Sequence, residues 1–231
     1  MKLPISDRLL ACCRFIQPGD RVADVGCDHG YLGIHLLKNN IASHVIASDI
    51  NEGPLNAAIF NSEKYGVRDR MQFFLSDGVK SIPRDFDSLV CAGMGGDTMI
   101  SILEAAPWLK EGNYRLILQC QSRRPELRRY LYENGFSILS ETLAEDGKFI
   151  YPVMEVTYRC AEALSPAQYH ISPQLLSCGS PLLPTFYQRV ISGIEATVEG
   201  LSRSGGEKLE TYKNILEELK SMEVQINGNC T

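Results

Sequence analysis

The chain reads as an α/β protein, a doubly wound and mostly parallel sheet closed by an antiparallel hairpin and followed by a helical hairpin. Three features predict this. Short apolar runs alternate with amphipathic segments from Asp20 to about Tyr158. The rhythm changes after Gly135, where two β-rich runs stand close together. Near the end of the chain, two apolar series recur at steps of three and four residues.

The apolar runs are Arg21–Gly26 (RVADVG), His44–Asp49 (HVIASD), Met71–Leu75 (MQFFL), Ser88–Ala92 (SLVCA) and Arg115–Gln119 (RLILQ). They are too uniformly apolar to face water on one side, which suits parallel strands covered on both faces. Helices are predicted between them over Tyr31–Asn39, Pro54–Tyr65, Thr98–Leu109 and Pro125–Asn134. Phe136–Thr142 and Ile150–Arg159 then read as strands joined by a turn at Glu145–Lys148. A connection that short permits antiparallel pairing and excludes a helical crossover. Parallel βα units ending in an antiparallel hairpin form the pattern of the class I methyltransferase fold, a Rossmann-like sheet of seven strands. A dehydrogenase Rossmann domain would continue with a further βα unit.

Glu162–Pro184 is rich in Ser, Pro and Leu and reads as a connecting segment. Phe186, Val190, Ile194, Val198 and Leu201 then make one apolar stripe, and Leu209, Tyr212, Leu216, Leu219 and Met222 a second. Ser204 to Glu207 has the spacing of a capping box for the second helix. The expected division is a catalytic domain over 1–160, a connector over 161–184 and a coiled-coil-like helical hairpin over 185–231. That hairpin either packs on the domain or grips a macromolecule.

Among the 231 residues, 44% are hydrophobic and 22% charged, an ordinary globular balance that excludes disordered and collagen-like chains. No stretch approaches the ~18 apolar residues of a membrane span. Asp7 and Arg8 stand where a signal peptide would be apolar, so a cytoplasmic location is expected. The net charge is −5; basic and acidic residues number 18 and 20 up to Cys160, then 5 and 8 beyond it. Binding to nucleic acid must therefore rest on a local patch. The eight cysteines include no CxxC pair, so reduced, buried packing residues are expected and no metal site.

The first strand runs into Asp24-Val25-Gly26-Cys27-Asp28-His29-Gly30 and a helix follows at once. Glycines let the backbone approach a ligand, and a helix N-terminus favours negative charge. That suits NAD and S-adenosylmethionine alike. The D-x-G-x-x-x-G spacing lacks the tight glycine pair that admits a pyrophosphate. Asp24 would also repel a diphosphate and attract the ammonium and sulfonium of S-adenosylmethionine. Asp49 closes the second strand, where a carboxylate accepts ribose hydroxyls. Asp77-Gly78 follows the third, in reach of an adenine amino group, and His29 is a further candidate cofactor contact. Gly93-Met94-Gly95-Gly96 after the fourth strand makes a low-bulk wall where a flat base can slide toward the reacting methyl group. The Asn/Asp-Pro-Pro-aromatic motif of DNA amino-methyltransferases is absent at this place.

Together DVGCDHGYLG at Asp24–Gly33, Glu52-Gly53-Pro54, Asp77-Gly78, AGMGG at Ala92–Gly96 and Ser6-x-Arg8-Leu9 resemble the bacterial tRNA (adenine-22-N1)-methyltransferase family. The resemblance extends to the terminal helical hairpin. It implies methyl transfer from S-adenosylmethionine to N1 of an adenine in the tRNA core. Two departures stand out. Gly30 and Gly33 replace a small residue and a proline, and Gln119-Cys120-Gln121 stands where the family usually has Gln-Pro-Asn.

Adenine N1 has an in-plane lone pair and needs no general base, so the enzyme must chiefly position its reactants. The target base, inside folded tRNA, would be extruded and stacked. Tyr31 is the stacking candidate, Asp28 the electrostatic support and Gly95 part of the open wall. Arg8, Gln119, Arg123, Arg124 and Arg128 are expected on the tRNA side, the last three in a basic cluster with Arg115 and Arg129. Another methyl acceptor, protein or small molecule, is the second reading. A silent tRNA-binding paralogue is the third.

Overall fold

A computed structural model describes residues 3–160, 163–203 and 205–223. Seven strands form one sheet: β1 (Arg21–Val25), β2 (His44–Asp49), β3 (Met71–Leu75), β4 (Ser88–Met94), β5 (Arg115–Cys120), β6 (Phe136–Asp146) and β7 (Phe149–Tyr158). Their order is β3-β2-β1-β4-β5-β7-β6. The first five are mutually parallel, and β7 inserts antiparallel between β5 and β6. The predicted mixed sheet is therefore present, with β6 longer than expected and β7 shifted by one residue. Only Gly147 and Lys148 separate them, and Gly147 adopts a φ of +60° that the tight reversal requires.

Helices cover both faces. α1 (Asp7–Cys13), α2 (Tyr31–Lys38) and α3 (Glu52–Lys64) pack on one side through Cys12, Leu36 and Ala58. α4 (Gly96–Glu104) and α5 (Arg124–Glu133) pack on the other through Leu103, Leu127 and Leu131. The helix expected to reach Leu109 stops at Glu104 and resumes as a 3-10 turn over Pro107–Lys110. Pro107 has no N–H to donate and restricts Ala106 before it, which ends the α-helical ladder.

The tail contains a short helix, α6 (Pro173–Leu176), and then α7 (Leu183–Ser202) and α8 (Glu207–Ser221). α7 and α8 pack against each other, and the base of the pair seats on Leu143 and Ile150 of the β-hairpin and on Ala167, Ile171 and Leu175. Tyr187 locks them by donating to the Leu219 carbonyl at 2.6 Å. The buried stripe of α7 is Phe186, Tyr187, Ile191 and Ile194, while Val190 and Val198 sit at its margin. Gly206, with φ +96°, stands at the N-cap of α8, and the expected capping box begins at a residue outside the described ones. Ser204 itself, Cys230, Ala161, Glu162 and the end of the expected hairpin domain lie outside the described residues.

Arg128 corrects another expectation. The helical spacing that aligns it with Arg124 turns that face inward, and Arg128 has 0% exposure. Its Nε and Nη2 donate to the two carboxylate oxygens of Glu141 at 3.0 and 2.9 Å, and Nη1 donates to the Tyr169 carbonyl at 3.0 Å. It is thus unavailable to a phosphate and instead ties α5, β6 and the connector together. Glu141→Gln should cost about 3–5 kcal/mol, because a buried guanidinium then lacks its counter-charge. Urea unfolding measures this, and the Arg128→Met/Glu141→Leu pair should recover most of the loss.

Candidate active site

Strand order reverses between β1 and β4, whose neighbours run outward in opposite directions, and a crevice opens at the carboxyl edge there. The β1–α2 turn borders it. Gly26 and Cys27 donate their N–H groups to the Ser48 carbonyl at 2.8 and 2.9 Å, which pulls the turn onto β2. Gly26 has φ +72°, and a Cβ there would stand 2.3 Å from the Met94 Cε. The left-handed backbone there favours glycine, and any side chain would have to displace the end of Met94. Gly30 serves packing, since its missing Cβ makes room for Ala58. Gly33 likewise lies tight against Val45.

The crevice comprises two adjoining clefts that share Gly26. The first, about 630 Å³, lies between the ends of the strands and α4, lined by Asp49, Ile50, Asp77, Gly78, Met94 and Ile102 among others. Asp49 is nearly buried; its oxygens accept from the Asn51 N–H at 2.9 Å and the Asp28 N–H at 3.2 Å. Asp77 is exposed and pairs with Lys80. Gly78, at φ +60°, yields space to Ile102.

The second cleft, about 380 Å³, is lined by Arg8, Asp24, Asp28, His29, Tyr31 and Ala92 among others. Asp24 is 4% exposed and its Oδ2 has no hydrogen-bond partner. Burial is the largest influence on its carboxyl, which is pushed up from 3.8 to about 7. The Gly33 N–H lowers it, while Asp49 and Asp28 raise it further. Asp28 holds φ +50° and exposes its carboxylate 3.7 Å from the His29 ring, which in turn lies 5.8 Å from the Tyr31 ring. Backbone strain at a non-glycine residue beside a cleft is characteristic of functional sites.

Behind this cleft runs a polar relay that joins distant segments. Gln119 Oε1 accepts from the Gly93 N–H at 2.9 Å and from Arg8 Nη1 at 3.2 Å, while Arg8 Nε donates to Asp146 at 3.0 Å. Gln119 is fully buried and its Nε2 has no partner. Gly93, at φ +83°, leaves room for the Arg8 guanidinium, and Gly95 leaves room for the Ser122 hydroxyl. Cys120 is buried and donates to the Ser122 carbonyl, and the Gln121 N–H pairs with the Met94 carbonyl, so this departure from the family pattern still secures β4 to β5.

The sequence-predicted basic cluster assembles only in part: Arg124, Arg128 and Arg129 lie around His170, which burial and their charge push down to about 4. Arg115 sits at the opposite edge of the sheet, paired with Asp20 and Glu155. Arg123 is exposed but bound to Asp97 and Glu126. Arg124 stacks on Phe186 at 5.1 Å, and Arg129 lies over Tyr169. Sequence reasoning missed Asp146, which meets Arg8 only through the fold, and Asn61, which donates to the His29 carbonyl at 3.0 Å. Among the described residues, no group of three or more His, Cys, Asp or Glu side chains is placed to hold a metal, and no helix is long and apolar enough to cross a membrane. Seven described cysteines are free thiols, five of them buried.

Asp24 gives a stability prediction. Its folded value lies above its unfolded one, so the native chain binds more protons between about pH 4 and 7, and stability falls as pH rises through that window. Asp24→Asn should match the parent near pH 4 and exceed it above pH 7 by up to roughly 4 kcal/mol, measured by denaturant unfolding against pH.

The geometry has counterparts among known proteins. Residues 5–154 match the methyltransferase-domain family. The tRNA (adenine(22)-N(1))-methyltransferase of Bacillus subtilis is 36% identical over 149 residues, which is 64% of this chain and only 63% of that enzyme's length. The crystal structure of the B. subtilis m1A22 tRNA methyltransferase superposes with a TM-score of 0.78 at 27% identity, covering 100% of both chains. A Streptococcus pneumoniae candidate tRNA (m1A22) methyltransferase, solved with S-adenosyl-L-methionine, superposes with a TM-score of 0.79 at 30% identity, over 92% of this chain and 99% of that one. This chain belongs to the methyltransferase-domain family.

Proposed function

We propose that the chain is an S-adenosylmethionine-dependent methyltransferase acting on N1 of adenine-22 in tRNA. The observation that carries this is the pair of clefts meeting at Gly26, each with a nearly buried carboxylate, Asp49 in one and Asp24 in the other. The solvent-shielded, unpartnered Oδ2 of Asp24 fits a cationic ligand group. Asp49 and Asp77 line an elongated apolar cleft suited to a nucleoside, with Ile50 and Ile102 against a flat base. Asp24, Gly26, Asp28, His29, Asp49, Asp77, Gly78, Gly93 and Met94 would hold S-adenosylmethionine, with Gly30 setting the turn. When bound, that cofactor supplies an electrophilic methyl group.

The remaining chemistry asks little of acid–base catalysis. The adenine presents its N1 lone pair in the plane of the ring, so no proton has to be removed first. Positive charge grows on the ring as N1 forms its new bond. The exposed carboxylate of Asp28, at the mouth of the second cleft, opposes that charge. Tyr31 gives the ring a stacking face, and the small residues Gly93 and Gly95 keep the wall open. Arg8 and Gln119 position this wall through the Gly93 N–H. Residues 1–160 are the catalytic unit in this reading, and the connector is structural, since its Tyr169 carbonyl completes the Arg128 shell. A tRNA substrate places the enzyme in the cytoplasm.

Purified protein incubated with S-adenosylmethionine and unmodified tRNA should yield 1-methyladenosine at position 22 by nucleoside mass spectrometry. Cofactor binding without any methylated nucleoside would redirect the search to another acceptor or to a silent binding role. Asp49→Ala should weaken cofactor affinity by about a hundredfold or more in calorimetry, because two backbone N–H groups lose their acceptor along with the ligand contact. Asp24 must ionise to hold an ammonium group, so affinity should rise about tenfold per pH unit up to about pH 7 and then level. Asp24→Asn should flatten that profile.

A further inference from the structure

The tip of the β6–β7 hairpin carries an aromatic surface that the cleft residues leave unused. Phe149 is 52% exposed, a large apolar ring in water. Its ring centroid lies 6.0 Å from that of the half-buried Tyr151, two residues along the same strand face. Strand alternation sends Ile150, between them, to the opposite face, where it packs under α7. Phe149 pairs in register with Asp146, and Asp146 holds Arg8 of the second cleft. The two rings thus stand on the same face as Arg8, beside the cleft mouth.

Cations frame the rings. The Lys148 Nζ is 5.3 Å from the Phe149 centroid, and Arg189 of α7 reaches across to donate to the Lys148 carbonyl at 2.9 Å. A groove lined by Pro184, Thr185, Gln188, Arg189 and Ser192 lies along α7. Glu223 meets Gln188 in that groove at 3.5 Å, and two further acids stand near the rings. Asp146 is paired with Arg8, and Glu145, opposite Ile150 in register, points to the other face. Beyond Arg189, α7 and α8 carry 3 basic residues (Lys208, Lys213, Lys220) against 6 acidic ones (Glu195, Glu199, Glu207, Glu210, Glu217, Glu218), so a polyanion is repelled from the distal hairpin. Exposed aromatic rings interleaved with cations suit nucleic-acid bases and phosphates.

Resting on the tRNA reading, we infer that Phe149 and Tyr151 form a stacking shelf for a nucleotide flanking the target adenine, with Lys148 and Arg189 on its phosphates. The extruded base enters the cleft while its neighbour stays on the shelf. The phosphate backbone is thereby fixed at the base of the helical hairpin, and the distal hairpin stays clear of it.

The test uses full-length protein, radiolabelled S-adenosylmethionine and unmodified tRNA, with Phe149→Ala, Phe149→Trp and Lys148→Gln. Phe149→Ala should lower kcat/KM for tRNA roughly ten- to a hundredfold, mainly through KM, while calorimetric cofactor affinity and the melting temperature stay at parent values. Phe149→Trp should restore most of the loss, which a merely packed ring would not allow. Lys148→Gln should shallow the salt dependence of KM by about one phosphate contact. Phe149→Ala within twofold of the parent, or a change of oligomeric mass with an unchanged KM for tRNA, overturns the shelf. A parent protein that methylates no tRNA overturns the underlying reading instead, and shows itself before any substitution is made.

Discussion

Everything in this molecule depends on parallel strands, all but the marginal β3 covered on both faces, that end together at one edge. Parallel pairing obliges each connection to cross over through a helix, and helices on opposite faces must diverge where the strand order reverses. That divergence between β1 and β4 opens the crevice. The loops beyond the strands then have no choice about where they meet. Asp24, Asp49, Asp77 and Met94 come from four different strands or the turns that follow them, yet converge because the sheet ends there.

Around that edge the structure trades side-chain bulk for backbone proximity. Gly26, Gly78 and Gly93 each adopt positive φ, and a Cβ at any of them would press on a neighbour, most tightly at Gly26 and least at Gly93. The neighbours are themselves site residues, Met94, Ile102 and Arg8. Removing a methyl from the backbone at these points lets two walls approach closely enough to enclose a slim ligand. The polar atoms that closeness leaves stranded, Asp24 Oδ2 and Gln119 Nε2, are ones that a globular interior does not ordinarily tolerate. Their presence at the cleft is a property of a binding surface.

Periodicity and turn chemistry in the sequence were enough to locate the five parallel strands within two residues and to anticipate the antiparallel close. The carboxylates and glycines of the cleft were legible too, because strand ends and βα turns announce them locally. Long-range pairing was not legible. Nothing near Arg128 signals that Glu141 awaits it, so a buried ion pair looked like part of a basic surface. Nothing near Arg8 points to Asp146, 138 residues away. Arg115 was misplaced for a related reason, since its position at the start of β5 sends it to the far edge despite its closeness in sequence to Arg123. Charged side chains choose partners after the fold has chosen their neighbours.

The insertion of β7 between β5 and β6 also governs the order in which the chain can be completed during synthesis. β6 leaves the ribosome first but has no edge to join, since β5 accepts only β7. A two-residue reversal lets β6 and β7 zip together locally, on a microsecond scale. The preformed ribbon then docks as a unit on the waiting edge of β5. Asp146 rides at the tip of that ribbon, so Arg8, among the first residues made, gains its partner only in this late event. The same docking delivers Phe149 and Lys148 to the cleft mouth. A nascent chain that stops short of β7 therefore lacks the latch beside its glycine turns.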